Sequence, residues 1–256
     1  MKLQPPEKRF EQALLELSRT QSIGTVFDDF LDFALQFIRW WDRKQENFTI
    51  LEGKYPGEHN AHLFAEAYLA MADIADHTGA GFKDPFGDFY MEHLSNARSG
   101  QFFTPEHVCD MMAQMQMGTD VPDEATVADP TCGSGRLLLA AAKINRKATF
   151  YAADIDLTCC KMTVLNFLMN TMVGEVAWMD TLRMVHWKSW KIKKVMAENG
   201  AYLPYYIEVG TEQAGSPAMW ANIIHKTESD AAANSKKPPP NKLRQKATSQ
   251  LFLDFD

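Results

Sequence analysis

The sequence predicts an α/β chain, a truncated Rossmann-like sheet preceded by an N-terminal helical region. Three observations carry that prediction. The run Asp129-Pro130-Thr131-Cys132-Gly133-Ser134-Gly135 lies between a short apolar segment and a strong helix former, so it reads as strand, glycine turn and helix. Two further apolar segments downstream each end in an acid, at Asp154 and at Asp180. Before residue 98 the apolar residues recur at helical spacing instead.

In chain order, Phe27, Phe30, Leu31, Ala34, Leu35, Phe37, Ile38 and Trp41 make one wide apolar helical face. Asn60 is placed to cap a second helix running to about Asp76, with Gly79 and Gly81 ending it. These helices read as a bundle packed on the rest of the chain. A helix after Pro105 carries Met111, Met112, Met115 and Met117, which read as core or interface filler. Residues 125–128 form a brief buried strand and residues 136–143 a helix, followed by strands over 148–153 and 175–179. Residues 183–194, basic and aromatic, read as an amphipathic helix that buries its tryptophans and solvates its lysines. The alternative is contact with nucleic acid through Trp187, Trp190 and the lysines around them. From 227 to 249 the composition turns to Ala, Ser, Asn, Lys and Pro, that of a flexible linker. The expected organisation is a helical region over 1–98, a cofactor-binding α/β domain over 99–226, the linker over 227–249, and a short linear motif over 250–256.

The spacing within the turn separates three cofactor classes. A dinucleotide fingerprint needs a third glycine where Leu138 stands, and a Walker loop needs Gly-Lys-Ser/Thr where Gly135 is followed by Arg136 and Leu137. There remains an adenosine ligand without a pyrophosphate, held by an acid, a glycine turn and a second acid about 20 residues on. S-adenosylmethionine fits, with Asp154 and Asp156 toward the ribose, Ile155 on the adenine face and Asp180 at the adenine amino group. Acids also cap strand ends and begin helices, and that reading stays open for Asp180.

These residues resemble a known family. The run 129–135, preceded by Ser-Gly-Gln-Phe-Phe-Thr-Pro at 99–105 and followed by residues 151–170, is similar to the gamma-type adenine-specific DNA methyltransferases, above all the methylation subunits of type I restriction systems. The likeness runs from about Asp84 to Leu182. It implies a SAM-dependent methyltransferase (Rossmann-like) sheet in which Phe102, Phe103, Thr104 and Pro105 close over the methionine end of S-adenosylmethionine. It also implies that Asp129, Pro130, Thr131, Cys132, Gly133, Ser134 and Gly135 hold that end, Asp154 the ribose and Asp180 the adenine. An aromatic ring beside a sulfonium has its own rationale, because the ring face attracts a desolvated cation. The family's Asn/Asp-Pro-Pro-aromatic tetrapeptide, which grips a flipped-out adenine, does not occur in this sequence. Fewer than 50 residues separate Asp180 from the linker, too few for the family's remaining four strands and a target-recognition domain.

The resemblance implies methyl transfer to the exocyclic amino group of adenine in DNA, with a partner subunit supplying target recognition. The alternative is a SAM-binding module without its own acceptor motif, tethered to replication or modification machinery. The final Gln250-Leu251-Phe252-Leu253-Asp254-Phe255 matches the bacterial sliding-clamp-binding hexapeptide at Gln250, Leu251, Leu253 and Phe255. A net charge of −7 argues against tight, sequence-independent DNA binding by the chain alone. Four cysteines without metal-ligand spacing read as reduced thiols, and no metal is expected. No apolar run approaches the ~18 residues of a membrane span, and the start of the chain lacks a secretory core, so a cytoplasmic protein is expected.

Overall fold

The computed structural model describes residues 4–39, 51–95, 101–118 and 121–210, which fall in one compact unit, Met1–Ala214. Ahead of the sheet the described residues include α1 (Pro6–Leu17), α2 (Ile23–Ile38), α3 (Glu58–Asp76), α4 (Gly87–His93) and α5 (Glu106–Met117). Then follow β1 (Thr126–Asp129), α6 (Arg136–Ile144), β2 (Thr149–Asp154), α7 (Leu157–Met169), β3 (Val173–Asp180), β4 (Val185–Met196) and β5 (Tyr202–Gly210).

The helix starts follow from local chemistry. A proline occupies the first turn of α1, where its missing N–H costs nothing, and the Ser22 hydroxyl accepts the Thr25 amide at 3.2 Å to cap α2. Asn60 does not cap α3. That helix begins one turn earlier behind Gly57, and the Asn60 side chain instead donates to the Pro56 carbonyl at 2.9 Å. At its far end His77 takes the left-handed conformation and the Asp76 carboxylate accepts the Gly79 amide, so the helix stops where the glycines predict.

The sheet runs in the order β1-β2-β3-β4-β5. The first three strands are parallel and joined by α6 and α7, while β4 and β5 are antiparallel additions beside β3. The register pairs Asp129 with Ala152 and Asp154 with Trp178, so the acidic strand ends lie along one end of the sheet. On α7 every side chain from Cys159 to Leu168 is buried, because that helix packs on strands β2 to β5 and also against α2 and α3. Its Lys161 ammonium pairs with Asp28 at 2.9 Å and Asp32 at 2.8 Å, a charge-compensated tie between α7 and α2. The core is continuous between helices and sheet, with Phe10, Phe27, Phe30, Phe86 and Phe89 in ring contact on the helical side.

Residues 185–196 form strand β4, and this corrects the expected amphipathic helix. Trp187 and Trp190 sit three apart and mimic helical spacing. The cause is a register irregularity: Trp178 pairs with Lys188 but Met179 pairs with His186, which leaves Trp187 as an extra residue in the ladder. Trp190 and Ile192 are buried, while Trp187 remains partly exposed. Met111 and Met115 are exposed on α5 and are not core filler; the buried face of that helix is Cys109 and Ala113, packed on Ala140. No helix among the described residues is long and apolar enough to cross a membrane. Trp41, the linker over 227–249 and the motif over 250–256 lie outside the described residues.

Candidate cofactor site

The site forms where β1 hands over to α6. Gly133 and Gly135 take φ values of +54° and +87°, and a Cβ at position 133 would stand 2.9 Å from the Phe103 ring. The backbone amides of this turn point into the protein. Thr131 donates to Asp129 Oδ1 at 3.0 Å, Cys132 to the Ala153 carbonyl at 2.9 Å, Gly133 to Asp154 Oδ2 at 2.9 Å and Gly135 to the Cys132 carbonyl at 2.8 Å. A phosphate cradle needs such amides free. With four of them committed and two carboxylates beside it, this turn is built for cations and hydroxyl donors.

Burial raises the Asp129 carboxyl above its ordinary range, against the Thr131 amide that lowers it, and the charge of Asp154 raises it further. Asp154 is raised by the same burial, partly offset by the Asp156 and Gly133 amides. Burial also pushes the Cys132 thiol well above its normal value, so it stays protonated and packs as a small apolar group.

Over the turn lies the 101–105 strap. The Phe103 ring stacks on Tyr90 at 5.0 Å and seats against Gly133, whereas Phe102 is 74% exposed. The Tyr90 hydroxyl donates to Gln101 Oε1 at 2.8 Å, and Gln101 Nε2 donates to Asp156 Oδ2 at 3.0 Å. Between strap and turn is a cavity of about 220 Å³ bordered by Phe102, Phe103, Thr104, Asp129, Thr131, Cys132, Gly133, Ser134 and Arg136. A larger hollow of about 720 Å³, bordered by Phe37, Ile38, Tyr68, Leu168 and Leu203 among others, has no charged side chain in its described lining. The smaller cavity therefore has the chemistry.

The remaining predicted residues divide. Asp154 braces the turn and keeps acceptor capacity, since each of its oxygens takes one amide: Gly133 on Oδ2 and Asp156 on Oδ1. Asp156 caps α7 through the Thr158 amide at 2.8 Å and is held by Gln101. Ile155 is 60% exposed, and its carbonyl accepts the Trp178 indole N–H at 3.0 Å. Asp180 uses Oδ1 to close the β3–β4 turn, accepting the Leu182 and Arg183 amides at 3.1 and 2.9 Å. Pro130 accepts the Thr181 hydroxyl at 3.3 Å, and Pro105 borders a neighbouring hollow with Asp88 and Met91. The Ser134 hydroxyl turns inward, donating to Asp84 at 2.6 Å, so it is not available to a ligand. Asp84 is the residue sequence reasoning missed. Its signal was Asp-Pro-Phe-Gly at 84–87, an acid three residues before a glycine that starts a helix.

Three comparisons with known proteins bear on this site. The family model described as N-6 DNA Methylase matches residues 82–232, more than half of the chain. A solved structure, the methyltransferase subunit of a type I restriction-modification system from Streptococcus thermophilus, is similar over 49% of this chain and 28% of that one, at 22% identity and a TM-score of 0.34. This chain therefore spans little more than a quarter of that subunit. No curated protein matches.

Proposed function

The chain belongs to the N-6 DNA methylase family, and from that premise we propose that it binds S-adenosylmethionine between the 129–135 turn and the 101–105 strap and serves methyl transfer to the exocyclic amino group of adenine in DNA. One observation carries the proposal: a glycine turn with its amides committed internally, flanked by the buried carboxylate of Asp129 and the half-buried carboxylate of Asp154. That donor set fits a cationic amino acid joined to a ribose and does not fit a phosphate. Bound there, S-adenosylmethionine supplies an electrophilic methyl group. Asp129 and the strap residues Phe103 and Thr104 enclose the methionine end and exclude water from it. Asp154 accepts a ribose hydroxyl on a lone pair that the Gly133 and Asp156 amides leave unused. Ile155 offers apolar surface to the adenine, and Asp180 Oδ2 accepts from its amino group.

Orientation of the target adenine falls outside these residues, and the chain carries no Asn/Asp-Pro-Pro-aromatic tetrapeptide. Holding the acceptor in line is worth several kcal/mol of barrier, about 7–11 in the best-oriented systems. The acceptor grip then lies in a degenerate motif or is supplied by a partner, target recognition is assigned to a partner subunit, and DNA contact is weak for this acidic chain alone. The tail Gln250, Leu251, Leu253 and Phe255 is assigned to docking on a sliding clamp, and the compartment to the cytoplasm.

Isothermal calorimetry with S-adenosylmethionine tests the cofactor, and labelled methyl incorporation into unmethylated DNA tests the reaction. Absence of binding by the folded chain rejects the whole reading. Binding without incorporation, even with candidate partner subunits added, leaves a cofactor-binding module and rejects the transferase. Clamp capture that survives deletion of 250–255 rejects the tail assignment.

A further inference from the structure

The carboxylate of Asp84 is completely buried and accepts five hydrogen bonds. Oδ1 takes the Phe86 amide at 3.0 Å and Asn166 Nδ2 at 3.0 Å. Oδ2 takes the Gly87 amide at 3.1 Å, the Ser134 hydroxyl at 2.6 Å and Arg136 Nε at 2.7 Å. A carboxylate offers about four lone-pair sites, so this one is saturated and has no capacity for a ligand. What it joins is informative. Phe86 and Gly87 begin α4, Ser134 lies in the cofactor turn, Arg136 opens α6, and Asn166 is on α7.

We infer that Asp84 is a positioning residue for the cofactor turn, through which the start of α4 sets the geometry of residues 133–135. From beneath the turn, Asn166 Nδ2 also donates to the Ser134 carbonyl at 2.8 Å and the Thr163 hydroxyl to the Gly133 carbonyl at 2.9 Å. The second arm of Arg136 reaches Asp88 on α4 at 2.6 Å. From above, α4 supplies Tyr90, whose ring backs Phe103 on Gly133. One short helix therefore meets the turn on both sides. The close approach requires Gly87: a Cβ there would lie 2.3 Å from Asp84 Oδ2 and 2.6 Å from Arg136 Nη2. Asp84 thereby does for this turn what outer-shell carboxylates do for bound metals, fixing the orientation of groups that meet the ligand.

The inference rests on the proposed cofactor, so its test has an arm that does not need one. Ser134→Ala removes a single donor and leaves Asp84 with four, so the fold survives. Amide hydrogen exchange is read on the ligand-free protein and calorimetry on the same variant. Exchange at residues 132–135 should accelerate about tenfold while the β3 and β4 amides stay unchanged, the effect expected for one charge-assisted hydrogen bond. The S-adenosylmethionine Kd should weaken about tenfold by the same bond, and Ser134→Thr, which restores the hydroxyl, should recover most of both losses. Exchange and Kd within twofold of the parent would overturn the inference. Equal acceleration in the turn and in β3 would also overturn it, by showing a purely structural tie. If the parent binds no S-adenosylmethionine, the functional reading fails and the exchange measurement alone decides this one.

Discussion

The two ends of the site are built differently. At the glycine end a four-residue strand, a tight turn and a strap enclose about 220 Å³, and nearly every polar group has a named partner. At the other end Ile155 and Leu182 stand in solvent, and the partly exposed Trp187 meets Trp178 with ring centroids 4.9 Å apart. Asp180 is occupied in closing a turn. The closed end is preorganised, so binding there need order little. Among the described residues the open end presents apolar surface without a wall, so contacts made there by these residues alone should be weak.

Substitutions can break that contrast. Gly133→Asp places a side chain into the Phe103 ring at a left-handed φ and adds a charge beside Asp129 and Asp154; it should abolish measurable binding, a loss of at least about 100-fold or ~2.7 kcal/mol. Calorimetry on the folded variant checks this, and retained binding would remove the turn from the site. Asp154→Ala removes the proposed ribose acceptor together with the support of two amides, and titration should show about 30-fold weaker binding.

Acid should act on binding before it acts on the fold through these groups. Burial raises Asp129 and Asp154 above the ordinary 3.8. A raised carboxyl contributes stability that is present below its unfolded value and lost as pH rises through the folded one, so acid does not unfold the chain through this pair. Ligand binding has the opposite sign, because a cation and hydroxyl donors need the ionised forms. Affinity should fall as pH is lowered from neutral through the raised range of these carboxyls, read by calorimetry beside a thermal melt at each pH. A flat affinity profile would show that neither carboxylate faces the ligand.

The smallest effects belong to the open end. Ile155→Ala should weaken S-adenosylmethionine by only about two- to threefold, because an exposed contact contributes a few tenths of a kcal/mol, and Asp180→Asn by about as little, because the buried Asp180 already commits Oδ1 to the turn amides and an amide oxygen still accepts. Losses comparable to Asp154→Ala would show that this end is walled as well. A larger penalty in the presence of DNA than in its absence would sharpen the contrast by identifying what completes it.

The parts legible in sequence were the local ones. The glycine turn, three strands ending in acid, and the helix that ends near Asp76 are each written in a few consecutive residues. Strand β4 was misread because a one-residue irregularity set two tryptophans at helical spacing, and only the ladder partner reveals that. Asn60 was misread because a capping residue is defined by where the helix starts, which packing decides. Ser134 belonged to a matching motif, yet its hydroxyl serves Asp84, 50 residues away along the chain.

By itself the sequence determined that a strand, a glycine bend and a helix meet at 129–136, that acids follow at 154 and 180, and that no phosphate-binding signature accompanies them. Backbone preference and side-chain periodicity act over a few residues and are visible without a fold. Tertiary structure alone decided which donors remain free, which carboxylate is buried and saturated, and which end of the site is closed. Hydrogen-bond satisfaction and desolvation depend on groups brought together from distant parts of the chain, and no local pattern encodes them.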